Sequence, residues 1–298
     1  MSGKSTPETP AAEASERPYA ALTERALAYI TTNGGSVPED VLVRHVFGNS
    51  GSPAIWRPLL RNVLAGEGEK VLLVNEHWSL IRESTTSGAE VLNEFIAIDV
   101  ETTGLKPSSQ RIIEIALYRY RQGKLAERYE TLLNPGREIP AFITNLTSIR
   151  NEDVEYAPGF AEVAEQVVEF IGDALLIGHN VRFDISFMNA ELKRVDREPL
   201  INERLDTLTL AVRYIHNLRK PSLDRVASAL GLPPRRIHRA GGDAQMTAEA
   251  ALRLVEMATR TGVSTIDDLK GGALPGGHRP RDDVGRARAV LDLSLIHI

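Results

Sequence analysis

The chain has 298 residues, of which 42% are hydrophobic and 25% charged, and its formal net charge is −5. This length allows one large and one small domain, and the composition is typical of a soluble globular protein. No apolar run is long enough to predict a membrane span, and the absence of cysteine excludes disulfides and thiolate–zinc sites. The acidic balance counts against a protein that only coats nucleic acid, but it is compatible with a metal-binding enzyme. The cytoplasm is the expected location.

The amino-terminal quarter predicts a tail followed by a small domain. Residues 1–18 are rich in Ala, Pro, Glu, Ser and Thr and predict a disordered tail. Residues 19–82 show three helical periods, the second opened by Ser36-Val37-Pro38, and then two short strands, an order that resembles a winged helix. Arg57 and Arg61, one turn apart on the third helix, could meet phosphates or a groove of duplex DNA. Packing of this domain on a partner protein is the equal alternative.

A polar linker at residues 83–92 precedes a larger domain, residues 93–262. Three predicted strands come first, at residues 95–100, 112–120 and 125–133. They are followed by a helix at 160–171, a strand at 174–178, and helices at 185–195, 205 onward, 222–230 and 244–259. This order predicts an α/β domain built on a mixed sheet.

Residues 263–298 predict a linker with an irregular end. The segment from Gly271 is rich in Gly, Pro and Arg, and the last six residues are those that one reading frame of a sequencing-library transposon end would encode. We therefore expect a chain cut near Asp292 and a processing scar after it. A genuine apolar tail that docks on the domain is the alternative.

Two acidic residues stand at the end of the first strand of the larger domain. Asp99 and Glu101 are two residues apart, so on a strand they project from the same face. Their charges repel unless a cation neutralises them, and oxygen ligands favour Mg²⁺ or Mn²⁺. Two solvated acids at a strand end are the alternative.

Two further acids and a histidine occur near predicted helix starts. Asp184 precedes the helix at 185–195, and Asp243 precedes the helix at 244–259, so each acid could simply cap its helix. Gly241 and Gly242 would let the backbone bend and bring His238 over the same cleft. A solvated loop histidine is the alternative for His238.

Together these motifs resemble the DEDDh exonucleases, the proofreading epsilon-subunit-like family with the ribonuclease H-like fold. The motifs that carry the resemblance are Asp99-x-Glu101-Thr102-x-Gly104, His179-Asn180 followed by Asp184, and His238 followed after four residues by Asp243. Secondary features agree, namely Glu114, Leu146-Thr147 and Asp206-Thr207. The resemblance covers residues 93–262 and implies a mixed five-stranded sheet flanked by helices.

The resemblance implies a 3′→5′ exonuclease that uses two Mg²⁺ or Mn²⁺ ions. Asp99 would bridge both ions, Glu101 and Asp243 would complete the site of the ion that activates the nucleophile, and Asp184 would help to hold the site. His238 would take the proton of the attacking water. His179 is expected to pack behind the site rather than to act as a base.

The resemblance also implies contacts to the terminal nucleotide. Thr102, Thr103 and Leu105 would lie along it with their backbone amides near the 3′ hydroxyl. Phe183 would pack against its sugar or base.

The substrate and the partner are less defined than the reaction. DNA 3′ ends are favoured, because a winged helix would suit duplex DNA, and a polymerase or repair partner is expected. Trimming of RNA 3′ ends is the alternative, since the same residues serve both reactions. A non-catalytic module that only binds nucleic acid is a third hypothesis, although such modules usually lose at least one metal ligand.

Overall fold

The computed structural model describes residues 19–48, 51–74, 76–81, 87–215, 218, 220–233 and 238–271. The predicted tail at 1–18, residues 83–86 of the predicted linker and the predicted irregular end from 272 onward lie outside the described residues. None of the described helices is long and apolar enough to cross a membrane.

Residues 19–81 form helices around a small antiparallel sheet. The elements are α1 (Ala20–Thr32), β1 (Ser36–Pro38), α2 (Glu39–Phe47), α3 (Pro53–Ala65), β2 (Val71–Val74) and β3 (His77–Leu80). The three strands lie in the order β1-β3-β2, and Ile30, Leu42 and Leu60 are fully buried between the elements. The assignment of this region as a winged helix stays a prediction.

The prediction that Ser36-Val37-Pro38 opens a helix is wrong. These residues form β1, in which Val37 pairs with Trp78 of β3, and α2 begins only at Glu39. Pro38 has an extended backbone (φ −55°, ψ 137°) and stands just before the helix. Pairing with a strand more than 35 residues away overrides the local preference of this tripeptide.

The larger part of the chain is built on a five-stranded mixed sheet in the order β6-β5-β4-β7-β8. Its elements are α4 (Gly88–Val91), β4 (Glu94–Thr102), β5 (Ile112–Arg121), β6 (Lys124–Leu132), α5 (Ala141–Thr147), α6 (Asn151–Val154), α7 (Phe160–Ile171), β7 (Leu176–Gly178), α8 (Val181–Arg194), β8 (Arg204–Asp206), α9 (Thr207–Tyr214), α10 (Leu223–Ala229), α11 (Ala240–Thr259) and α12 (Ile266–Gly271). Strands β4, β5 and β6 are antiparallel, whereas β7 and β8 run parallel to β4.

The five-stranded sheet implied by the resemblance is confirmed, but the residue pattern misses the position of β8, because it assigns Leu205 and Asp206 to the start of a helix. They belong instead to the edge strand, and α9 begins at Thr207 with Asp206 as its N-cap, whose carboxylate accepts a hydrogen bond from the Leu208 amide. A strand of three residues is too short to show a periodic pattern.

Helices cover both faces of the sheet, and alternation along β4 decides which residues meet which helices. Ile96 and Ile98 pack in the cluster that contains α7 and α8, while Phe95 and Ala97 pack in the cluster that contains α11. The side of α11 that meets the sheet is lined by alanines, so the helix lies close to the strands. The same alternation places Asp99 and Glu101 on the α11 side of the sheet.

Candidate active site

The first two acidic residues lie where β4 leaves the sheet. Asp99 and Glu101 are half-buried, and Glu101 is paired across the strands with Glu114 of β5. The register shifts between Glu101 and Thr102, which marks an irregularity at this point. Three acidic residues therefore lie near one another on two neighbouring strands.

Asp184 is buried and reaches β4 from the other side of the sheet. The alternative that Asp184 caps a helix starting at residue 185 does not hold, because α8 begins at Val181, after Asn180 in the left-handed conformation (φ 66°). One Asp184 carboxylate oxygen accepts a hydrogen bond from the Val100 amide at 3.1 Å. The pairing of β7 with β4 ends at Ala97, so the carboxylate takes a backbone donor that this neighbouring strand does not reach.

Asp243 and His238 come together at the start of α11. The helix begins at Ala240, so the prediction that Asp243 stands before it is wrong; the side chain is in the first turn. Its Oδ2 accepts a hydrogen bond from the His238 amide at 2.8 Å. The buried Oδ1 has no hydrogen-bond partner among the described residues.

The predicted role of Gly241 and Gly242 in bending the chain is also wrong. Both are helical, and the residue with a left-handed backbone is His238 itself, with φ 63°. A Cβ at Gly241 would lie 2.9 Å from Glu130 Oε2 and 3.0 Å from the Tyr118 hydroxyl, so the ends of these side chains would have to shift. The glycine thus allows close approach of α11 to the sheet.

The side chains of the third motif face those of the first. One possible ligand atom from each of Glu101, His238 and Asp243 lies within 4.8 Å of the others. Asp184 and Asp243 both raise the pKa of Asp99, whose own burial is the larger cause. All five predicted catalytic residues are therefore gathered at one place.

Burial and mutual repulsion disturb the titration of these acids. Burial first, and Asp243 second, raise the pKa of Glu101 to about 8. Burial raises the pKa of Asp243 to about 6, and that of Asp184 well above its ordinary value. Burial lowers the pKa of His238, which favours a neutral imidazole.

These residues fit a divalent cation. Among the described residues, none of Asp99, Glu101, Asp184 and Asp243 forms a salt bridge. A cluster of carboxylate oxygens, one of them buried without a partner, is the donor set that hard divalent ions prefer. Such an ion would offset both the burial and the mutual repulsion that raise the pKa values of these carboxyl groups.

Comparison with known proteins decides the family. Residues 96–251, about half of the chain, match the RNase_T family, described as Exonuclease. The chain belongs to this exonuclease family.

Three relatives illustrate how much of each protein this exonuclease chain covers. The PolC-type DNA polymerase III of Thermotoga maritima is 34% identical over 203 residues, which are 68% of this chain and 15% of that protein. The epsilon subunit of DNA polymerase III of Aquifex aeolicus is 36% identical over 162 residues, which are 54% of this chain and 80% of that protein. The 3′-5′ exonuclease DinG of Bacillus subtilis is 34% identical over 177 residues, which are 59% of this chain and 19% of that protein. The chain thus spans only a small part of the PolC-type relatives.

The residues predicted to contact a nucleotide are only partly exposed in this chain. The Thr102 hydroxyl donates to Gly104 O at 2.7 Å, and the Thr103 hydroxyl bonds to Gln110 Oε1 at 2.7 Å. The Thr103 amide donates to Arg111 O at 2.9 Å, so neither polar group of Thr103 points freely at a substrate. Leu105, by contrast, is 38% exposed.

Phe183 and His179 lie on either side of Asn180. Phe183 is half-buried and its ring makes a tilted contact with Phe187, with centroids 4.9 Å apart. His179 is bonded through Nδ1 to Thr207 Oγ1 and through Nε2 to Pro221 O, and burial lowers its pKa to about 4. A neutral imidazole with both ring nitrogens hydrogen-bonded agrees with a packing role for His179.

Two supporting clusters contain ion pairs that were not predicted from the sequence. The buried carboxylate of Glu191 pairs with Arg111 at 2.7 Å and with Arg194 at 3.2 Å, and Arg194 also donates to Pro107 O, which holds the loop after the first motif. Glu114 pairs with Arg239, beside the third motif. Of these residues, Glu114 was among the features that agree with the family resemblance. The three-residue spacing of Glu191 and Arg194 on one predicted helix is the signal that could have indicated their contact.

Proposed function

We propose that this exonuclease hydrolyses phosphodiester bonds one nucleotide at a time from nucleic-acid 3′ ends, in the 3′→5′ direction and with DNA as the favoured substrate. The observation that supports it most is the convergence of Asp99, Glu101, Asp184 and Asp243, with His238, at one edge of the sheet. The direction rests on the 3′-5′ exonuclease DinG among the relatives.

Four carboxylates would hold two divalent cations, Mg²⁺ or Mn²⁺. In this proposal Asp99 would bind both ions, Glu101 and Asp243 would bind one of them, and Asp184 would help to hold the site. The ions would supply activation of the attacking water and stabilisation of the charge on the leaving 3′ oxygen. Asp243 suits a double role, since Oδ2 holds the His238 amide while Oδ1 has no other partner among the described residues.

His238 would accept the proton of the attacking water at a ring nitrogen. Its lowered pKa keeps the imidazole neutral near pH 7, the state in which it can act as a base. Leu105 and Phe183 would contact the terminal nucleotide, and Thr102 and Thr103 would shape the loop beside it.

The relatives also suggest the substrate and the partner. Two of the three are named for DNA polymerase III, which supports DNA 3′ ends as the substrate and a polymerase or repair assembly as the partner. We further propose that residues 19–82 form a separate winged-helix-like domain before the exonuclease domain at 93–262. The predicted DNA contact of Arg57 and Arg61 has less support, because both guanidinium groups are paired with acidic residues of α2.

A degradation assay tests the proposal. Single-stranded DNA and RNA oligonucleotides of the same sequence, labelled at the 5′ end, are incubated with the protein and Mg²⁺, Mn²⁺ or EDTA. We expect a ladder of shortened DNA products with either metal and none with EDTA. Faster loss of RNA would favour the RNA alternative, and binding without any shortening would favour the non-catalytic module.

A further inference from the structure

His238 lies just before α11, and the N-cap of this helix, Arg239, forms no capping hydrogen bond of its own. The left-handed backbone of His238 (φ 63°) is unfavourable for a residue with a Cβ, so surrounding contacts must maintain it. Arg239 follows as the N-cap of α11, with extended backbone and no side-chain capping bond. An arginine has no acceptor atom with which to cap the helix.

Glu114 of β5 provides the missing cap from another element. Its Oε2 accepts a hydrogen bond from the Ala240 amide at 2.9 Å. The first amides of a helix lack partners within the helix, and a carboxylate at this end also interacts favourably with the helix dipole. The start of α11 is therefore tied directly to the sheet.

Arg239 folds back onto the same carboxylate. Its Nε lies 3.1 Å from both Glu114 oxygens, and its Nη2 lies 2.6 Å from Oε1. The Glu114 side chain is only 6% exposed, so this pair is partly shielded from water. Two residues that directly follow His238 are thus bound through one buried carboxylate, and the planar guanidinium makes the attachment directional.

The position of Glu114 connects this attachment to the first motif. Glu114 pairs with Glu101 across β4 and β5, so the strand register that places Glu101 also places the support of His238. The distance between the first and third motifs is then set by neighbouring residues of one sheet.

We propose that Glu114 and Arg239 are positioning residues that hold His238 in register with Glu101 and Asp243. They would act through the imidazole and not on the substrate. This inference rests on the proposed function, because the reaction is what His238 is held for.

The test is a double-mutant cycle between Arg239→Ala and His238→Ala, measured with a 5′-labelled DNA oligonucleotide and Mg²⁺. We expect Arg239→Ala to lower kcat about 10- to 100-fold, the size that misplacing a catalytic group produces, with KM unchanged. Arg239→Lys should recover part of the loss. In the His238→Ala background, Arg239→Ala should have little further effect, because the group it positions is missing.

Arg121→Ala is the matched control, since Arg121 also pairs with glutamates of this sheet, Glu94 and Glu127. It should leave kcat unchanged. Wild-type kcat in Arg239→Ala would overturn the inference, and so would the same fold loss with and without His238.

Amide hydrogen exchange separates this inference from the proposed function. Arg239→Ala should speed exchange in the segment 238–243, and Arg121→Ala should not. Unchanged exchange would overturn the positioning role even if the protein degrades DNA. A wild-type protein that degrades nothing would refute the proposed function. The exchange result would then decide alone whether Arg239 and Glu114 hold the segment 238–243 in place.

Discussion

Buried carboxylates occur in both parts of this molecule, and their charges are compensated differently. In the amino-terminal part, Glu39 is 1% exposed and receives two hydrogen bonds from Arg61, at 2.8 and 2.7 Å. In the exonuclease part, Asp184 and Asp243 are 3% and 7% exposed, yet neither forms a salt bridge among the described residues. Burial alone thus does not distinguish the two sites.

The difference lies in where the compensating charge comes from. An unpaired buried charge is strongly unfavourable, so proteins pair it, protonate it or bind a cation to it. Glu39 is paired by an arginine of the chain. In the candidate active site burial is the main cause of the raised pKa values, and neighbouring carboxylates add to it, Asp184 and Asp243 for Asp99 and Asp243 for Glu101. This is the electrostatic environment expected of carboxylates that bind a cation.

Asp99→Asn should show the difference between the two regions most strongly, because it should abolish most activity without lowering stability. The substitution keeps the shape of the side chain and removes the charge proposed to bridge both ions. We expect the rate of nucleotide release to fall by at least about 10³-fold, because each lost 1.4 kcal/mol of transition-state stabilisation is tenfold and metal contacts supply several. The metal-free protein should be at least as stable as wild type, since one of several repelling carboxylates is gone. A rate within tenfold of wild type would contradict the assignment.

His238→Ala should lower kcat by roughly 10²–10⁴-fold, the range for loss of a general base. Divalent-ion binding should persist, since the four carboxylates remain. His45→Ala is a matched control: this exposed histidine stacks on Tyr29 in the amino-terminal part, with ring centroids 3.8 Å apart. Equal rates in the two histidine variants would refute the role of His238.

Glu39→Ala should lower stability and leave activity unchanged, which is the opposite of the effect expected for Asp99→Asn. It leaves the partly buried guanidinium of Arg61 without its buried partner, so we expect the free energy of unfolding to fall by about 1–3 kcal/mol. Degradation of a short single-stranded oligonucleotide should be unchanged. Asp40→Ala, which removes a more exposed partner of Arg57, should cost less than about 1 kcal/mol. Urea unfolding measures both, and an equal loss in the two variants would contradict the comparison.

The stabilisation by Mg²⁺ should grow with pH. Because the pKa values of Glu101 and Asp243 are raised to about 8 and about 6, the folded metal-free protein holds protons that the unfolded chain has released. Stability is then lost as pH rises from about 4 through these two values, and the cation restores it. Thermal melts should show a Mg²⁺-induced rise in Tm that is several degrees larger at pH 8 than at pH 5.5. Glu101→Gln should reduce this pH dependence, and a shift independent of pH in wild type would count against the site.

The sequence was most informative where function and local pattern coincide. The strands β4, β5 and β6 were predicted close to their observed bounds, because long strands with apolar runs carry strong local signals. The five catalytic candidates were predicted from motif order and spacing. Their convergence could then be expected, since they stand at the ends of neighbouring elements of one α/β sheet.

The remaining features depend on contacts between distant residues. The strands β1 and β8 have only three residues each and exist through pairing with β3 and β7. The starts of α8 and α11 were placed four residues too late in both cases, 185 against Val181 and 244 against Ala240, because neither N-cap uses its own side chain. The cap of α11 comes from Glu114, 126 residues away in the chain, which no local pattern could reveal.

Calorimetric titration of the EDTA-treated protein with Mn²⁺ tests the central claim most directly. The account predicts that the wild-type protein binds about two ions, that Asp99→Asn loses most of this binding, and that Glu39→Gln binds as wild type does. Absence of Mn²⁺ binding to the wild-type protein, or equal binding by Asp99→Asn, would contradict the claim that these uncompensated carboxylates form a cation site.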